Sequence, residues 1–101
     1  MRPARTIKLV RVDLPNIETI EECMFMDCES FKGITIPNSI TKIKKWAFSR
    51  CTSLEKIVIA KQVYQIERNV FDGCISLDNV HVPSNITKVE QSVFKQCTSL
   101  T

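Results

Sequence analysis

Cys28, Cys51, Cys74 and Cys97 are each 23 residues apart, and this spacing constrains the fold more than any other feature of the sequence. The same step carries most of the large apolar residues. Phe25, Phe48, Phe71 and Phe94 form one column; Ile20, Ile43, Ile66 and Val89 form a second; Ile17, Ile40, Val63 and Ile86 form a third. Phe31, Leu54, Leu77 and Leu100 follow the cysteines by three positions, each preceded by a serine (Ser30, Ser53, Ser76, Ser99). Ile34, Ile57 and Val80, then Ile36, Ile59 and Val82, complete the pattern. Chance does not repeat so many columns in register, so the chain is an internal repeat. A unit of 23 residues is too short to bury its own apolar face and must stack on copies of itself.

Stacking places like residue above like, with a rise of about 4.8 Å per unit where strands pair. The segment Leu54–Ile59 ends in period-2 alternation of β-branched residues and reads as a strand. Its equivalents are 9–14, 31–36 and 77–82. Pro15, Pro37 and Pro83 end three of them, because proline cannot donate to a ladder. A second extended stretch, 40–43, is expected on the opposite wall, and the run 45–50 is expected to return the chain as one helical or 3-10 turn. Asn69 and Ser92 stand where such a turn wants a cap. The expected fold is a strand-dominated, right-handed solenoid of about four coils with parallel sheets and short helical or 3-10 turns. It forms a single domain over 1–101, with an N-terminal edge at 1–8 and coils at about 9–31, 32–54, 55–77 and 78–100. Solenoids need polar caps; Arg2, Arg5, Lys8 and Arg11 charge the N-terminal edge against strand addition, but nothing comparable covers Phe94 and Leu100 at the other end, so a fragment of a longer array, or end-to-end self-association through uncapped coils, is expected.

The template resembles the BspA-like leucine-rich repeat, marked by Phe-x-x-Cys-x-Ser-Leu and a following Ile-x-Ile-Pro. It is present here as Phe48-Ser49-Arg50-Cys51-Thr52-Ser53-Leu54 and Ile57-Val58-Ile59, with the proline in Ile36-Pro37 and Val82-Pro83. The resemblance covers roughly residues 9–101. The family glycine before Cys survives as Gly73 alone, replaced by Asp27, Arg50 and Gln96 in the other units. The resemblance implies a leucine-rich-repeat solenoid whose surface binds protein, with no catalysis and no cofactor. It also implies a place among cell-surface or secreted adhesion and host-interaction proteins. An intracellular scaffold or regulatory subunit is the alternative. The opening Met-Arg-Pro-Ala-Arg-Thr has no apolar stretch after it and does not read as a signal peptide, which favours that alternative.

Composition narrows the function classes. A net charge of +3 is too mild for a dedicated nucleic-acid binder. Apolar runs stop near four residues, far below the roughly 20 that a membrane span needs. One His and two Gly offer little for a nucleophile–base pair or a phosphate-cradling loop, so an enzyme is not expected. The cysteine column could be a disulfide or metal ladder. However, stacked Cβ vectors point the same way, and paired Cys-x-x-Cys spacings are absent, so buried small side chains fit better. Cys23 lies outside the column and reads as exposed. The serine column reads as side-chain-to-backbone hydrogen bonding in the turns.

The candidate partner-binding residues fall on the outward face of the first strand set. One column runs Asp13, Thr35, Val58 and His81; its neighbour runs Arg11, Gly33, Lys56 and Asn79. A merely solvated face is the competing reading. Trp46, read as an exposed aromatic, and Tyr64 in the next unit form a second candidate patch. On the other wall, Glu21 with Lys44, Lys44 with Glu67, and Glu22 with Lys45 are expected to pair across neighbouring units. Asn85-Ile86-Thr87 matches a glycosylation sequon, but Ile86 belongs to a core column, which argues against its use.

Overall fold

The 23-residue period becomes the strand register in a computed structural model, which describes residues 17–36, 38–86 and 89–100. Six short strands form: β1 (Thr19–Ile20), β2 (Gly33–Thr35), β3 (Lys42–Ile43), β4 (Lys56–Val58), β5 (Gln65–Ile66) and β6 (Asn79–His81). They make two parallel sheets, ordered β1-β3-β5 and β2-β4-β6. In the first sheet Ile20 pairs with Ile43 and Ile43 with Ile66; in the second Ile34 pairs with Ile57 and Ile57 with Val80. Every partner is one repeat away. The strands are shorter than the alternation suggested, at two or three residues each. The expected strand at 9–14, Pro15 and Pro37 lie outside the described residues.

The apolar columns meet between the sheets. Ile20, Ile40, Ile43, Phe48, Leu54, Val63, Phe71 and Leu77 are fully buried. The phenylalanines stack almost face to face: Phe25–Phe48, Phe48–Phe71 and Phe71–Phe94 have ring centroids 5.4, 5.7 and 5.6 Å apart and planes within 11° of parallel. That separation lies within the favourable range for offset aromatic pairs. Val89 departs from its column. Ile20, Ile43 and Ile66 are buried, but Val89 is 38% exposed. The described β1-β3-β5 ladder ends at β5, and Thr87 and Lys88 lie outside the described residues.

The return segment differs from the expected single turn of helix. In three units it is a series of tight turns built on two left-handed residues. One column holds Cys23, Trp46 and Asn69, with φ of 62°, 65° and 59°. The other holds Asp27, Arg50, Gly73 and Gln96, with φ from 58° to 81°. The missing family glycines therefore leave the turn geometry unchanged, at a cost of order 1–2 kcal/mol for each ordinary side chain held there. Alternate N–H groups then have different partners. Ala47, Ser49 and Cys51 close local turns onto Lys44, Trp46 and Phe48, whereas Phe48 and Arg50 donate to Val70 and Asp72 of the next unit at 3.0 and 2.8 Å. The left-handed residues turn those donors outward. Only the last described unit makes a 3-10 turn, Gln91–Phe94.

This geometry corrects the cap reading. Asn69 is not a helix cap: it sits in the left-handed region, which asparagine tolerates better than most residues, and its Nδ2 donates to Asp72 Oδ2 at 2.9 Å. Ser92 lies inside the 3-10 turn, whose capping residue is Glu90.

Candidate functional site: the outer strand face and a groove beside β5

Alternation along β2, β4 and β6 sends Ile34, Ile57 and Val80 toward the core and their neighbours outward. Register then assembles two outward rows. Gly33, Lys56 and Asn79 lie side by side, as do Thr35, Val58 and His81. Thr35, Lys56, Val58, Asn79 and His81 are all exposed, with Val58 at 54%. Among the residues of these two rows, Lys56 is the single Lys, Arg, Asp or Glu. Lys56 lies along Gly33, where an added methyl group would meet its Cγ at 3.6 Å, so the glycine leaves a shallow notch beside an aliphatic stem. Arg11 and Asp13, the remaining candidates for this face, lie outside the described residues.

The two aromatic candidates separate. Tyr64 is 56% exposed and lines a groove of about 560 Å³ beside β5. Trp46 is half-buried, held in the return segment at φ 65°, and does not line that groove. The expectation of an exposed Trp46 is therefore corrected: its side chain is half-buried.

Ile66 and Ile86 floor the groove, with Lys45, Glu67, Arg68 and Glu90 around it. Of the three charge pairs expected on this wall, Lys44–Glu67 forms, at 3.8 Å. Glu21–Lys44 and Glu22–Lys45 do not, because Glu67 draws this corner together: its Oε1 also accepts the Lys45 backbone N–H at 3.0 Å. Among the described residues neither the Lys45 ammonium nor the Arg68 guanidinium is in an ion pair. The other described ion pair, Arg50–Asp27 at 2.7 Å, was not anticipated; it joins two positions of the column that carries the family glycine. Asp27 raises the Arg50 pKa by hydrogen bonding and then by charge.

The cysteine column is buried and free of disulfides, and Cys23 is exposed. Its thiols do more than fill space. Cys51, Cys74 and Cys97 donate their Sγ–H to the carbonyls of Phe25, Phe48 and Phe71 in the preceding unit, at 3.2, 3.1 and 3.1 Å. The neighbouring Cys74 thiol and then burial push Cys51 above the usual thiol range, and burial pushes Cys97 up to about 11. Of the serine column, Ser99 reaches across units rather than within its turn: its Oγ donates to the Ile75 carbonyl at 2.7 Å. Asn85 of the sequon uses its amide nitrogen to bridge the Lys61 and Val63 carbonyls at 2.8 and 3.2 Å, so that nitrogen is already engaged. No cluster of three or more His, Cys, Asp or Glu suited to a metal ion occurs among the described residues. No helix among them is long and apolar enough to cross a membrane.

Comparison with known proteins agrees with this architecture. The crystal structure of a leucine rich cell surface protein from Faecalibacterium prausnitzii A2-165 is similar, with a TM-score of 0.66 and 27% sequence identity. The similarity covers 91% of this chain and 31% of that one, so the chain spans about a third of its relative. No curated protein matches. The family model described as BspA type Leucine rich repeat region matches in six copies over residues 4–101. The chain belongs to the BspA-type leucine-rich repeat family.

Proposed function

We propose that this chain is a non-catalytic protein-binding module of an adhesion-type cell-surface protein. In this reading its two sheets are walls of a right-handed solenoid of about four coils. The observation that carries it is the β2-β4-β6 face, where five exposed side chains from three units stand in register, Lys56 alone among them being a Lys, Arg, Asp or Glu. Repetition supplies area without a deep pocket, which suits a protein partner better than a small molecule. The cell-surface description of the Faecalibacterium relative supports the location.

An intracellular scaffold is the second reading. The exposed free Cys23 favours it, because exposed thiols persist most easily in reducing compartments. Protease accessibility of the native protein on intact, unpermeabilised cells separates the two. Digestion without lysis is expected for the surface protein; full protection until lysis retires that reading. Joint replacement of Arg11, Lys56 and His81 is expected to weaken partner binding. Undiminished binding removes this face from consideration.

A further inference from the structure

The outward side of the β1-β3-β5 sheet is charged by unit rather than along the strand. Ile20, Ile43 and Ile66 are buried and in register, so the residues that follow them, Glu21, Lys44 and Glu67, form one outer row. Glu22, Lys45 and Arg68 form the row beside it. The first described unit thus contributes two acids, the second two bases, and the third one of each. Contacts within the chain leave most of these charges without a partner. Glu21, Glu22, Lys45 and Arg68 are in no ion pair among the described residues, and Lys44 meets Glu67 at 3.8 Å. Glu21 and Glu22 are exposed, and the Lys44 side chain keeps 39% of its surface. An ammonium has three donors, so Lys44 can take a second carboxylate.

An acidic unit beside a basic unit is complementary to its own copy turned over. A two-fold axis in the contact plane, along the strand direction, keeps each residue opposite its own column and reverses the order of the units. With the axis between β1 and β3, Glu21 faces Lys44 of the second copy and Glu22 faces its Lys45. Symmetry makes each pair twice, so four opposite-charge pairs form. The other settings fail on charge, and like charges across an interface exclude it. An axis over β1 sets Glu21 against Glu21, and one over β3 sets Lys44 against Lys44 and Glu21 against Glu67. An axis between β3 and β5 sets Lys45 against Arg68 and Glu21 against Glu90.

We propose that the outer β1-β3-β5 wall is a homotypic contact surface, on which a second copy of this chain docks about a two-fold axis between β1 and β3. The occupant is a second copy because the wall carries both halves of the charge pattern in the order that only its own reversal matches. The contact is weak by itself, since exposed ion pairs contribute little in water. Its gain is a fixed orientation, and avidity where many copies share one surface. It uses a different sheet from the β2-β4-β6 face, so it stands or falls apart from the protein-binding reading.

The test is sedimentation equilibrium of the full chain over a concentration series, with a reductant to keep Cys23 from linking copies covalently. A monomer–dimer equilibrium with Kd of roughly 0.1–1 mM is expected at about 20 mM ionic strength, weakened about tenfold at about 500 mM. Glu21→Lys with Glu22→Lys is expected to abolish the dimer, as is Lys44→Glu with Lys45→Glu. An equimolar mixture of these two double variants is expected to restore it as a heterodimer, and circular dichroism checks that each is folded. Glu22→Lys alone, an exposed change, is expected to weaken the dimer about three- to tenfold and serves if a double variant does not fold. Lys56→Ala, on the other sheet, is expected to leave it unchanged. A monomer at every concentration overturns the proposal. So does association that salt leaves unchanged, that grows beyond a dimer, or that survives the charge reversals, since these mark end-to-end stacking of apolar coils.

Discussion

Truncating one ring of the phenylalanine stack should cost about twice as much in the middle of the array as at its last described unit. Phe48 is fully buried and stacks on both sides, at 5.4 Å from Phe25 and 5.7 Å from Phe71. Phe94 is half-buried and stacks only on Phe71 among the described residues, at 5.6 Å. Removing a fully buried phenylalanine costs about 3–5 kcal/mol in lost transfer energy and residual cavity. Each aromatic contact adds about 0.5–1.5 kcal/mol to the burial itself. Phe48→Ala should therefore lose about 4 kcal/mol, and Phe94→Ala, with partial burial and one contact, about 2 kcal/mol. The larger loss is a substantial share of the roughly 5–15 kcal/mol that holds a domain folded. Urea unfolding followed by far-ultraviolet circular dichroism reads the difference. With an m-value of about 1.5 kcal/mol/M, the midpoints should fall by about 2.7 M and about 1.3 M. Nearest-neighbour stacking predicts this asymmetry. Equal midpoint shifts for the two variants would refute it, because they would mean that neither the fuller burial nor the second ring contact of Phe48 adds to stability.

Two further outcomes follow from the turns and the thiols. Gly73→Ala should destabilise by about 1–2 kcal/mol, since φ is +81° and the new Cβ would lie 3.0 Å from Arg50 Cγ; Arg50→Gly should cost far less, because relief at φ 58° offsets an exposed ion pair, and thermal denaturation of both variants compares them. Native protein should expose one fast-reacting thiol, Cys23, to a neutral-pH thiol reagent, with the other four labelled only on unfolding. Because Cys97 is raised to about 11 from an ordinary value of 9.0, the folded state holds its proton longer than the unfolded chain does. Its contribution to stability is thus complete below pH 9 and lost as the pH climbs toward 11, a loss that Cys97→Ala should reduce.

Much of the architecture is legible in the sequence because stacking demands like above like. The period fixes which residues share a column, and hence the parallel sheets, their 23-residue register, the buried cysteines and the outward rows through Thr35, Val58 and His81. These follow from spacing alone, since a parallel stack leaves no freedom once the repeat length is set.

Contacts between columns are another matter. Nothing in the residue types Cys23, Trp46 or Arg50 marks a left-handed backbone; the signal was the lone Gly73, and the conformation is imposed because it alone turns alternate N–H groups toward the next unit. The thiol-to-carbonyl bonds arise in the same way, from where the turns leave the phenylalanine carbonyls. Which charges pair depended on reach: Glu67 met Lys44 and the Lys45 N–H, while Glu21 and Glu22 met neither lysine. The sequence alone thus determined the column to which each residue belongs. Tertiary structure decided how backbone direction and side-chain length join one column to the next, because those distances are set by three-dimensional geometry and not by period.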